Sequence, residues 1–82
     1  MAAFFVVQTF SKIKGGMRPD LPVQAQNTAH ARRMAERLSL QKEAVVAFMR
    51  EGDPSTGDYD EPLLIATFGE LPDEIMQLQR VN

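Results

Sequence analysis

Cysteine and tryptophan are absent from this 82-residue chain, and histidine and tyrosine occur once each. Without cysteine there is no disulfide framework, no zinc ribbon and no thiol nucleophile. The apolar run Ala2–Val7 falls far short of the roughly 20 residues that cross a bilayer as a helix. It has no basic segment before it and no cleavage-like segment after it, so no secretory signal is expected and the cytoplasm is the expected location. Basic excess is missing too. A net charge of −2 and a pI near 5.2 argue against nucleic acid as the partner.

Hydrophobic residues make up 44% and charged ones 24%, which is the composition of a globular chain rather than a disordered one. The length suits one core and therefore one domain over residues 1–82. A chain this short buries only about 60–65% of its unfolded surface, so burial across a subunit interface would add real stability.

The net charge hides an asymmetry. Residues 1–50 carry eight basic and three acidic side chains, a net +5, while residues 51–82 carry eight acids against Arg80, a net −7. Folding can lay the two halves side by side on one dipolar surface, or the basic half of one copy can dock on the acidic half of another.

Phe4–Phe10 reads as a first strand, with Phe4, Val6 and Phe10 on one face and Phe5 and Val7 on the other. Gly15-Gly16 and Pro19 mark a turn or loose hairpin, in which Met17–Arg18 can pair briefly, and Asp20–Gln26 reads as extended. A helix starts at Asn27 or Thr28, either of which can cap it. Ala31, Met34, Ala35 and Leu38 form its apolar stripe, and Gln26, His30, Arg33 and Arg37 mark the polar side. Ala44–Arg50 and Leu63–Phe68 read as a second and third strand, joined by a long hairpin loop punctuated by Gly52, Pro54, Gly57 and Pro62. Pro72-Asp73-Glu74 opens a short helix expected to reach about Gln79.

This order predicts an α+β fold: β-α-β-β, a split β-α-β or ferredoxin-like half. Its sheet is three-stranded and mixed, with the main helix on one face and a short C-terminal helix. The crossover rule makes strands one and two parallel. The doubly apolar Leu63–Phe68 is favoured at the centre (order 1-3-2), with 1-2-3 as the alternative. One helix roofs one face only, leaving several of Phe5, Val7, Val46, Phe48, Leu64 and Phe68 bare. Such a patch predicts a homodimer through sheet-face packing or edge pairing.

Chemistry is sparse. His30 has no carboxylate orienter nearby in sequence, and no serine has a histidine or lysine at motif spacing, so no catalytic residue is assigned. Asp53, Asp58, Asp60 and Glu61 could offer oxygens to a cation, but their spacing is not that of a calcium loop, and neither a metal site nor a cofactor is assigned. Gly15-Gly16 beside Lys12, Lys14 and Arg18 lacks the phosphate-loop pattern. The residues left as candidates for binding a partner are His30, Arg33, Arg37, Asp53, Asp58, Tyr59 and Asp60.

Two resemblances extend this reading. Phe4-Phe5-Val6-Val7-Gln8, Ala31-x-x-Met34-Ala35-Glu36-Arg37-Leu38, Val45-Val46-Ala47-Phe48 and Gly52-Asp53-Pro54-x-x-Gly57-x-Tyr59-Asp60 together resemble a family of short uncharacterised alphaproteobacterial proteins. That family has no assigned activity, so the resemblance implies no site residues. The layout of Val6-Val7-Gln8 with Phe10, Ala35-Glu36-Arg37-Leu38 and Leu64-Ile65-Ala66-Thr67-Phe68-Gly69 is similar to that of sporulation-related repeat (SPOR) domains, which implies peptidoglycan binding. It departs from them in having only about ten residues after Pro72. The leading expectation is a non-enzymatic protein-interaction module acting as a homodimer, with an unknown protein as a further partner. The alternatives are a SPOR-like ligand or glycan binder, and a small dimeric α+β barrel-type enzyme using His30.

Overall fold

The computed structural model of the protein describes residues 2–81. Its elements are β1 (Ala2–Ile13), β2 (Gly16–Pro19), β3 (Val23–Ala25), α1 (Thr28–Leu38), β4 (Ala44–Asp53), β5 (Asp58–Tyr59), β6 (Leu63–Phe68) and α2 (Asp73–Met76). All strands join one six-stranded antiparallel sheet. Two long strands form its spine: β1 and β4 pair antiparallel from Ala2↔Gly52 to Phe10↔Ala44. Each spine strand has a broken partner on its outer side. β2 and β3 pair with successive stretches of β1, and β5 and β6 with successive stretches of β4.

This corrects the expected three-stranded mixed sheet and the ferredoxin-like half. The crossover rule does not bear on β1 and β4. It governs parallel strands joined by a helix, and α1 joins β3 to β4, which run the same way with β1 between them. The hairpin through Gly15, whose φ of +88° suits glycine, first turns the chain back along β1. Strand two of the sequence reading is therefore antiparallel to strand one, and the order 1-3-2 gives way to β1-β4-β6. The charge-free β6 is apolar on both sides for another reason: α1 covers one of its faces, the C-terminal segment covers the other, and Gln79–Val81 lies along its free edge. There the Leu64 N–H donates to the Gln79 carbonyl at 2.6 Å and the Val81 N–H to the Leu64 carbonyl at 2.7 Å.

The helix stripe lies as its spacing predicts. Ala31, Met34 and Ala35 are buried against Val7, Ala25, Val45, Ala47, Ile65 and Ala66. Alanine on both sides of this contact lets α1 sit close to the sheet. Asn27 caps it, its Oδ1 accepting the His30 N–H at 2.8 Å. The C-terminal helix is shorter than expected, four residues after Pro72, and its Ile75 with Leu71 and Leu78 packs on Phe10, Ala44, Val46 and Leu64.

Both outer strands break at an Asp-x-Pro step, Asp20-Leu21-Pro22 on one edge and Asp60-Glu61-Pro62 on the other. Proline cannot donate to a further strand, and a kinked edge is a poor template, so edge pairing is disfavoured. The first kink is pinned by Asp20. Its carboxylate accepts from Thr9 Oγ1 at 2.8 Å and Ser11 Oγ at 2.9 Å, and Lys42 Nζ stands 3.5 Å away. These hydroxyl donors, with Lys42 adding a smaller attraction, hold the Asp20 pKa below its ordinary value against the opposing effect of desolvation.

Candidate functional site

The sheet face opposite α1 is covered over half its length. Leu71, Ile75 and Leu78 roof the end that holds Phe10, Ala44 and Leu64. The other end, holding Phe4 and Val6 of β1 with Phe48 and Arg50 of β4, lies in an open groove of about 430 Å³. Strand alternation puts these four on one face: Phe4 pairs with Arg50 and Val6 with Phe48.

Tyr59 closes one side of the groove from β5. It pairs with Gly52, and a Cβ at residue 52 would run into its ring. Glycine there is what allows the ring to lie over the β4 backbone. The Phe4 and Tyr59 ring centroids are 6.0 Å apart with a tilt of 51°, a favourable aromatic pair. The Arg50 guanidinium stands 5.3 Å from the Tyr59 centroid, in cation–π range, and Arg50 Nε donates to the Asp60 carbonyl at 2.8 Å. Three aromatic rings and one cation thus share an open surface, and Tyr59 keeps 41% of its accessible area.

The rim beyond Tyr59 is acidic. Glu51, Asp58, Asp60 and Glu61 are exposed there. Asp53 is occupied locally: its Oδ1 accepts from Ser55 Oγ at 2.7 Å and from the Ser55 N–H at 2.9 Å. Those two donors hold the Asp53 pKa below its ordinary value. The turn then closes through the Gly57 N–H on the Asp53 carbonyl at 2.8 Å, with Gly57 at φ +79°. Among the described residues no group of three or more His, Cys, Asp or Glu side chains converges to hold a metal ion.

The sequence candidates divide between two places. Asp53, Asp58, Tyr59 and Asp60 come together on the β4–β5 hairpin beside the groove. His30, Arg33 and Arg37 do not join them, because they ride on α1 across the sheet. His30 has a structural task there. Its Nδ1 accepts the Gln26 N–H at 3.0 Å while its own N–H is held by Asn27, a reciprocal cap at the helix start.

The bare patch is also smaller than expected. Phe5, Val7 and Phe68 face α1, and Val46 and Leu64 lie under the C-terminal segment, so only Phe48 of the anticipated six borders the groove. Phe4, Val6 and Arg50 were the residues missed. Their alternation with Phe5, Val7 and Met49 was visible in the sequence, and the assignment of faces to partners was not.

Comparison with known protein families, curated proteins and solved structures finds no match to this chain. Among the described residues no helix is long and apolar enough to cross a membrane.

Proposed function

We propose that the protein is a non-enzymatic interaction module that acts as a homodimer and binds through the aromatic half-face of its sheet. The observation that carries this reading is the open groove holding Phe4, Val6, Phe48 and Tyr59 beside a half that the chain's own C-terminal segment covers. Apolar surface grouped in this way marks a contact site more often than scattered hydrophobes do. The kinked, proline-bearing edges direct association to the face rather than to strand addition. His30 is engaged at the helix cap across the sheet, which takes support from an enzyme built around it.

Sedimentation velocity on the wild type and on Phe4→Ser with Tyr59→Ala tests the reading. Twice the 9.2 kDa chain mass at high micromolar concentration is expected for the wild type, and one chain mass for the double variant. A wild type that stays at one chain mass throughout would overturn it.

A glycan ligand, as SPOR similarity implies, is favoured by one feature: Phe4 and Tyr59 offer exposed ring surface with polar groups at the rim. Retention of the protein on insoluble peptidoglycan, lost in Tyr59→Ala, would move the assignment to that reading.

A further inference from the structure

We propose that the second copy docks antiparallel, face on face, so that the basic β1–β2 hairpin of each protomer closes the acidic rim of the other's groove. This rests on the homodimer reading above and specifies which surface of the partner fills the site.

Strand register separates the two hairpins. The N-terminal end of β1 pairs with the C-terminal end of β4, Ala2 with Gly52, whereas the other end of β1 turns into β2 at Ile13↔Gly16. A twelve-residue strand spans about 40 Å at ~3.3 Å per residue, and the molecule is 39 Å long. The β4–β5 hairpin and the β1–β2 hairpin therefore stand at opposite ends of the long axis. Their charges are opposite as well. The β1–β2 tip carries Lys12, Lys14 and Arg18 with no acid between Ser11 and Pro19, and its Ile13 is 43% exposed. The β4–β5 end carries Glu51, Asp53, Asp58, Asp60 and Glu61 against Arg50.

Shape follows the same axis. On the open face the half behind the basic hairpin is raised by the C-terminal segment, which carries Glu70, Asp73 and Glu74 of its own, and the other half is recessed at the groove. A two-fold axis across the strands, at the step between the halves, lays each raised half into the other's recess. It brings Lys12 and Lys14 of each copy to the acids of its neighbour, twice in one closed dimer. A parallel arrangement would instead set acidic rim against acidic rim. The ridge that enters the groove carries Met76, 48% exposed, a flexible thioether suited to the Phe4 and Tyr59 rings. Asp73 and Glu74 travel with that ridge and meet Arg50, the cation on the groove wall.

The experiment is a charge swap read by sedimentation equilibrium. Lys12→Glu with Lys14→Glu and Asp58→Lys with Asp60→Lys all fall at exposed positions, and circular dichroism checks that both variants fold. Each variant alone is expected to raise the dimer Kd at least tenfold. An equimolar mixture of the two is expected to recover the wild-type Kd within about threefold, because both contacts of the mixed dimer again join opposite charges. Wild-type association should also weaken between 50 and 500 mM salt, where screening shortens from roughly 14 to 4 Å. Dimerisation that ignores both charge reversals would overturn the antiparallel docking and leave the homodimer reading standing, as would variants that stay monomeric when mixed. A wild type that never dimerises would overturn both.

Discussion

The two faces of this sheet are covered to different extents. Against α1 the centre of the contact is small and β-branched, with Ala31 and Ala35 of the helix meeting Val7, Val45 and Ala47 of the strands, all five at zero exposure, and Phe5 and Phe68 are partly buried against the same cluster. The opposite face carries Phe4, Phe10 and Phe48, with Tyr59 beside them, and its cover reaches only halfway. Small residues at the centre of the α1 contact allow the helix to approach closely. One face is sealed, and the uncovered apolar surface is confined to part of the other.

The most severe way to blur that division is to remove the anchor of the covered half. Leu64 is 1% exposed and holds the C-terminal segment, so Leu64→Ala should cost about 2–5 kcal/mol in urea unfolding. A loss under 1 kcal/mol would mean that the C-terminal segment contributes little to the roof. Overfilling the sealed face comes next. Ala35→Leu should cost about 1–3 kcal/mol, since a larger side chain has no space at a fully buried position. Unchanged stability would show that α1 is free to move away from the sheet.

The helix start should yield a smaller effect. Asn27→Ala removes the acceptor of the His30 N–H and should cost about 1 kcal/mol by thermal melting, with dimerisation unaffected. Tyr59→Ala inverts that pattern: about 1 kcal/mol or less in stability, but loss of association. A Tyr59→Ala protein that melts early yet still dimerises would contradict the separation of roles. The last contrast is with acid. Asp20 has its pKa lowered by folding, so its contribution is full above about pH 4 and is lost as the pH falls below that. Asp20→Asn should therefore show a shallower loss of stability on acidification than the wild type, and identical acid limbs would exclude Asp20 as a source of the dependence.

Local pattern was legible and pairing was not. The α1 stripe, the alternation in β1 and the span of β6 follow from spacing that a helix or strand imposes on its own residues. Strand direction depends on what lies between the strands. Four residues of β2 and three of β3 carry no strong periodic signal, yet they decide that β4 comes back antiparallel. The antiparallel register sets Phe5 and Val7 on one face and Phe48 on the other. Of the apolar surface expected to be left bare, only Phe48 borders the open groove. Its location needed the observed register, the bulge between Ala47 and Phe48, and the fold-back of the last residues along β6. Asp20 gave no motif because its donors, Thr9 and Ser11, sit across a hairpin rather than next to it in sequence.

Amide chemical shifts of uniformly 15N-labelled protein, followed on dilution from millimolar to low micromolar concentration, test whether the aromatic half-face joins two copies. Concentration-dependent shifts are expected at Phe4, Val6, Phe48 and Tyr59 and along Asp73–Met76, with the exposed side of α1 around Arg33 and Arg37 unchanged. Shifts confined to α1, or none anywhere, would contradict association through that face.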